Sequence, residues 1–287
     1  MNTRKILHYR FQCDIKKQYI FRPIIKSSII DQILFNIKLF LFLFLAAPMI
    51  LMSFVLRGIF PVVRNWLPMI FYRMIVWLLS IKIEYEGNIE KSKRCNLFIS
   101  NHISYLDIPI LGSQFPLKFV AKLEVKNWPI FGFLSRLAGT IFIKRARSES
   151  LLQKRIIFKL LSEREKILIF PEATTSDGNR VLSFKSNAFS AVENKNFCIQ
   201  PLVIIYSEIN GMPINRWLRP IIAWYGDMDL TPHLLILKSL KSIRAKIIYL
   251  EPVNSKDFTN RKDLSKYIEQ KIHRAYSLSL SRKKLAG

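Results

Sequence analysis

Apolar and polar positions divide the chain into two textures. Residues 39–56 (LFLFLFLAAPMILMSFVL) contain no charge, and the run reaches the length of about 18 apolar residues at which a membrane helix is a better reading than a core helix. It starts late, exceeds an h-region of about 7–15 residues and lacks a small-x-small cleavage site, so a secretory signal is the poorer reading. A second apolar stretch, residues 66–83, is broken by Arg73 and carries Trp66, Tyr72 and Trp77. It suits an interfacial or returning membrane helix, and equally a buried helix of the domain that follows. Cations lie on both sides of the first run, among them Arg4, Lys5, Arg10 and Lys26 before it and Arg57, Arg64 and Lys82 after it. A single crossing conflicts with the positive-inside tendency; a two-helix hairpin with both ends on the cytoplasmic side satisfies it.

Beyond Gly87 short apolar runs alternate with helix-like segments, the pattern of an α/β domain. Strands are expected at 97–100, 117–121, 140–144, 167–170, 199–206 and 245–250. A helix is expected over 148–164, with Ser148 as N-cap and Leu151, Leu152, Ile156, Leu160 and Leu161 recurring at helical spacing. An amphipathic helix with a basic end should span 262–282. No internal repeat or flexible linker interrupts this part, so the expected organisation is a basic, membrane-associated N-terminus over 1–83 and a single domain over 84–287.

Composition narrows the partners. The 287 residues are 50% hydrophobic, too many for a disordered tail, and 45 Lys and Arg against 20 Asp and Glu give a net charge of +25. Such a field favours anionic partners, nucleic acid or anionic lipid. The cations are spread along the chain and no nucleic-acid reading motif is present, so membrane lipids are the expected partner and nucleic acid is not. Cys13, Cys95 and Cys198 show no metal-ligand spacing and are odd in number; neither disulfides nor a metal site is expected, and a reducing, cytoplasm-facing domain follows as the default.

The candidate chemistry lies in residues 101–107, NHISYLD. Histidine titrates near neutrality, which suits a general base, and an aspartate in the following turn can fix the ring tautomer as the orienting acid of a catalytic triad does. His102 and Asp107 are the candidates. Ser104 lies between them, but no G-x-S-x-G nucleophile motif is present. The expected nucleophile is then a hydroxyl of the substrate, with direct acyl transfer as the expected reaction. Taken alone, this spacing more often marks a structural histidine at a helix start. His8, His233 and His273 have no comparable setting and read as structural or surface residues.

Further blocks accompany the first. NHISYLD resembles the NHx4D box of the glycerolipid acyltransferases typified by bacterial 1-acyl-sn-glycerol-3-phosphate acyltransferase. GTIFIKR, FPEAT and IQPLVII resemble that family's second, third and fourth blocks, in the same order. The resemblance spans about residues 85–253 and implies a mostly parallel or mixed sheet flanked by helices, behind N-terminal membrane-binding helices. It makes His102 the base and Asp107 its orienting partner. It associates Lys122 and Arg145 with the acceptor's phosphate, and Glu172 and Thr174 of the third block with acceptor binding. It implies transfer from acyl-CoA or acyl-acyl-carrier-protein to 1-acylglycerol-3-phosphate, giving phosphatidic acid in phospholipid biosynthesis, with no cofactor. The extended form FPEATTSDGNRVLSFKSNAF resembles a branch acting on other lysolipids, including larger lysophospholipids and lyso-ornithine lipid. A non-catalytic, membrane-anchored basic lipid-binding protein is the reading from a different class.

Two positions depart from the family pattern. Ala173 stands where the third block usually has glycine, and if that glycine serves a positive φ, alanine meets a steric cost there. Asn187 replaces another frequent glycine, a milder change because asparagine tolerates the left-handed region.

Overall fold

Continuous burial, not alternation, marks the central strands. All four residues of Leu97–Ser100 (LFIS) are buried, as in a strand covered on both faces. The computed structural model describes residues 28–56, 61–144 and 150–281. Its strands are β1 (Ile81–Gly87), β2 (Leu97–Ser100), β3 (Leu117–Lys122), β4 (Ile141–Ile143), β5 (Lys166–Ile169), β6 (Cys198–Ile209), β7 (Met212–Pro213), β8 (Ile243–Tyr249) and β9 (Val253–Asn254). Its α-helices are α1 (Ile29–Leu56), α2 (Pro61–Leu78), α3 (Ile89–Ser92), α4 (Asp107–Gly112), α5 (Phe131–Leu137), α6 (Ser150–Ser162), α7 (Leu230–Lys238) and α8 (Arg261–Leu280).

The sheet runs in the order β1-β8-β6-β2-β5-β3-β4, with β7 and β9 paired to β6. Every neighbouring pair on that path is parallel except β6 and β8. The α/β fold is as the motifs implied, with a mixed sheet and flanking helices. Parallel pairing has a direct consequence for function: β2, β3, β4 and β5 all end at one edge of the sheet, where open α/β folds carry their sites.

Three expectations change. The stretch 66–83 is not one helix: α2 ends at Leu78, and Ile81 already starts β1, which pairs with β8 from Ile81↔Ile243 onward. The domain therefore begins before residue 84. α2 buries Leu67, Met69, Tyr72 and Leu78, and Arg73 donates from Nε to the Ser113 carbonyl at 3.0 Å. Its ring at Tyr72 packs so closely on α4 that a Cβ at Gly112 would lie 2.4 Å from it. One face of α2 thus packs on the sheet domain, while Trp66, Ile70 and Trp77 are exposed.

The second change is the face of α6. Leu151, Leu152 and Ile156 are exposed, while Ile157 and Leu161 pack inward. The expected N-cap, Ser148, lies outside the described residues.

The third change concerns the cysteines. Cys95 and Cys198 form a disulfide, their Cα atoms 4.7 Å apart across 103 residues of sequence. Parallel pairing of β2 with β6 (Leu97↔Ile199) brings them side by side, which linear spacing does not reveal.

α1 is the one described helix long and apolar enough to cross a membrane, with a mean hydropathy of 2.2 over Ile29–Val55. It extends ten residues ahead of the uncharged run because Lys38 is accommodated within it, its ammonium donating to Ser80 Oγ at 2.7 Å. An ion pair of Asp31 with Lys241 (2.9 Å) and the Phe42–Phe71 ring contact (5.6 Å) also tie one face of α1 to the rest of the chain. Phe40, Leu43, Phe44, Leu51 and Phe54 are exposed on it.

Candidate active site

β2 delivers the site by stopping one residue early. Beyond Ser100 the side-chain amide of Asn101 continues the ladder to β6 in place of a peptide group: Nδ2 donates to the Ile204 carbonyl at 3.0 Å and Oδ1 accepts from the Ile204 N–H at 2.9 Å. The backbone is thereby free to turn off the sheet. Ser176 N–H then holds the His102 carbonyl at 2.8 Å, and Trp224 N–H holds that of Ile103 at 3.1 Å.

His102 Nδ1 lies 2.7 Å from Asp107 Oδ2, with 17% of the histidine side chain exposed and none of the aspartate. The same oxygen accepts the N–H groups of Ile103 (2.7 Å) and Ser104 (3.0 Å), and Oδ1 accepts the Tyr206 hydroxyl at 2.6 Å. The hydrogen-bonding capacity of this buried side chain is thereby met by protein donors without solvent. Burial, followed by the Asp107 charge, pushes the Tyr206 phenol well up, so Tyr206 stays a donor. With Nδ1–H directed at Asp107, Nε2 is the nitrogen left to accept a proton. The ring stacks on Phe170 at 3.9 Å between centroids and 9° between planes, which fixes its second rotational freedom.

Ser104 is buried, and its Oγ accepts from the Leu106 N–H at 3.4 Å. It is part of the turn, not a nucleophile. His233 is buried against the Tyr105 hydroxyl (2.8 Å to Nδ1), and His273 is exposed. His8 lies outside the described residues.

The remaining predicted residues divide. Lys122 closes β3 at the site edge, exposed and level with Ile143 of β4. Lys144 ends the described part of the second block at the same edge; Arg145 lies outside the described residues. Thr174 is exposed on the turn after β5.

Glu172 is tied to the backbone of the His102 turn. It is 2% exposed, and its Oε1 and Oε2 accept the N–H groups of His102 and Leu182, each at 2.7 Å. Both oxygens meet backbone N–H groups, one of them that of His102 itself. Burial pushes its carboxyl up to about 8; the N–H donors of Leu182 and His102 oppose this, and the charges of Asp107 and Glu269 reinforce it. Ala173 has φ 59°, the left-handed value that explains a glycine in the usual pattern.

Sequence reasoning missed Asn101, Phe170 and Tyr206. Asn101 and Phe170 were inside recognised blocks but had no role; Tyr206 carried no signal, because its meaning depends on the pairing of β6 with β2.

The fold and site together place a hydrogen-bonded histidine–aspartate pair at the end of the parallel strands of an α/β domain. Residues 80–205 match the family model described as Acyltransferase. A lyso-ornithine lipid O-acyltransferase of Rhizobium meliloti is 37% identical over 222 residues, covering 75% of this chain and 76% of that protein. Another bearing that name, from Brucella abortus, is 34% identical over 73% of this chain and 81% of its own. The 1-acyl-sn-glycerol-3-phosphate acyltransferase of Neisseria gonorrhoeae is 30% identical over 61% of this chain and 67% of its own. Among solved structures, that of the 1-acyl-sn-glycerophosphate acyltransferase PlsC from Thermotoga maritima shares the fold, with a TM-score of 0.63 at 20% identity, covering 91% of this chain and 98% of that one. The chain belongs to the Acyltransferase family and is an acyltransferase.

Proposed function

We propose that this enzyme transfers a fatty acyl group from an acyl thioester to the hydroxyl of a lysolipid, and that lyso-ornithine lipid is the acceptor in preference to 1-acylglycerol-3-phosphate. The observation that carries the reaction is the 2.7 Å bond between His102 and Asp107 with Nε2 left free of that bond. His102 Nε2 removes the proton as the acceptor oxygen attacks the thioester carbonyl. The tetrahedral intermediate collapses with cleavage of the C–S bond, and the proton on His102 passes to the departing thiolate. Atoms and charge balance without a protein-bound acyl intermediate or a cofactor. Lys122 and Arg145 are proposed to bind anionic groups of the substrates, and Thr174 is proposed to contribute to acceptor binding.

The choice of acceptor rests on the two relatives at 37% and 34% identity that carry the lyso-ornithine name. The donor, acyl-CoA or acyl-acyl-carrier-protein, is acidic in either form and suits the basic chain. The exposed apolar side chains of α1 are proposed to enter the bilayer, with the basic flanks and the catalytic domain on the cytoplasmic side.

The test is acyl transfer by the purified, detergent-solubilised chain from labelled donors to lyso-ornithine lipid and to 1-acylglycerol-3-phosphate in parallel. Transfer to the first that is lost in His102→Ala supports the reading. Transfer confined to 1-acylglycerol-3-phosphate overturns the choice of acceptor, and equal rates in His102→Ala overturn the mechanism.

A further inference from the structure

A polar cavity of about 340 Å³ opens beside the His102 loop, lined by Asp177, Asn179, Arg180, Arg216 and Arg219. We propose that it holds the head group of the acceptor, with the guanidiniums of Arg180, Arg216 and Arg219 receiving a carboxylate and Asp177 receiving an ammonium. This rests on the acceptor named above and adds the residues that select it.

Both walls are preformed. On one side, Ser176 N–H is bonded to the His102 carbonyl (2.8 Å), and the Tyr276 hydroxyl donates to the Gly178 carbonyl at 2.6 Å. A Cβ at Gly178, where φ is +73°, would stand 3.4 Å from Ile103 Cγ2 and 3.5 Å from Arg219 Cβ, so the two walls meet directly behind the catalytic turn. On the other side, Asn215 Oδ1 accepts the N–H groups of Trp217 (2.9 Å) and Leu218 (3.1 Å), which shapes the turn presenting Arg216 and Arg219.

The charge is unbalanced. Asp177 directs its two oxygens at Asn179, accepting the backbone N–H at 3.0 Å and the side-chain Nδ2 at 3.1 Å. Asn179 in turn receives Arg219 at 2.6 Å. None of the three arginines forms an ion pair among the described residues. Three guanidiniums converging on one cavity repel one another, and a bound anion relieves that repulsion while using their planar donor pairs.

The chemistry of the lining favours one anion. A phosphate monoester would occupy the arginines but leave Asp177 facing a like charge. An ornithine head group carries a carboxylate and an ammonium, and so matches both signs. Arg180 belongs to the extended third block and Arg216 and Arg219 lie outside all four blocks, so this set is separate from the Lys122 and Arg145 pair.

The test uses the full chain in detergent, with binding of lyso-ornithine lipid, its carboxyl methyl ester and 1-acylglycerol-3-phosphate each measured directly. Arg180 and Arg216 are exposed and form no hydrogen bond or ion pair among the described residues, so Arg180→Gln with Arg216→Gln is the variant. The wild type should prefer the free acid over the ester by about tenfold or more, the scale of a lost charge-assisted bond, and the double variant, which keeps only Arg219, should lose most of that preference. Transfer to the acid should show a raised KM with kcat little changed in that variant. Wild-type indifference between acid and ester, or an undiminished preference in the double variant, overturns the assignment while leaving acyl transfer standing. Tighter binding of 1-acylglycerol-3-phosphate, lost in the double variant, would make the cavity a phosphate site and overturn the amino-acid assignment. Failure of the acceptor reading shows separately, as absence of acyl transfer to lyso-ornithine lipid from a protein that acylates another lysolipid.

Discussion

Glu172 and His102 are joined through the backbone of the base: the His102 N–H donates to Glu172 Oε1 at 2.7 Å, while the histidine ring turns the other way to Asp107. The third block therefore positions the first from beneath. Its carboxylate spans the β2 and β5 loops, because its other oxygen receives Leu182.

That position predicts a pH dependence of stability. The folded Glu172 carboxyl is held at about 8 against an ordinary 4.5. Between those values the unfolded chain releases a proton that the folded chain keeps, so this group's contribution to stability is full below pH 4.5 and is lost as pH rises toward 8. Urea unfolding at pH 5 and pH 8 should show this loss, and Glu172→Gln should flatten it while lowering stability at both, since a Gln amide cannot accept both N–H groups.

Removal of the base should abolish turnover more than binding. His102→Ala is expected to lower kcat by about 10²–10⁴-fold, the range of general base catalysis. Asp107→Asn should also be severely impaired, because an amide no longer fixes the Nδ1–H tautomer. Steady-state kinetics with an unchanged KM for the donor checks both.

Tyr206→Phe removes one donor to Asp107 and leaves the ring in place. A smaller loss of kcat than in Asp107→Asn is expected. A kcat equal to wild type across the pH profile would show that the Ile103 and Ser104 N–H groups and His102 suffice to hold the carboxylate.

Ala173→Gly should stabilise the protein. At φ 59° an L side chain costs about 1–2 kcal/mol, partly offset by the greater chain entropy of glycine when unfolded. A net gain of up to about 1 kcal/mol is expected from denaturant unfolding. Activity at least equal to wild type would show that the methyl group is not used in acceptor selection.

Leu43→Glu with Phe44→Glu places two charges on the exposed face of α1. Each disfavours a bilayer by about 2.5–3.5 kcal/mol at a helix centre. Vesicle flotation should show the variant released, with its far-UV circular dichroism retained.

Much of the site was legible because its blocks are local. His102, Asp107 and the strand before them occupy a few consecutive residues, and an α/β pattern with ordered motifs leaves little freedom in where strand ends fall. The roles of Glu172 and Tyr206 were not legible, since each depends on which backbone group or carboxylate a distant strand brings within 3 Å. The exposed Leu151, Leu152 and Ile156 show the same limit on a helix: periodicity marks an apolar stripe but not the surface that covers it.

The sequence by itself determined the α/β alternation and the apolar N-terminal helix, which follow from local patterning, and its four ordered blocks pointed to the class of chemistry through their resemblance to a family. The tertiary structure alone decided that β2 lies between β5 and β6. That placement sets Asn101 against Ile204, Tyr206 against Asp107 and Cys95 against Cys198, because contacts between strands a hundred residues apart depend on sheet order, which no local pattern encodes.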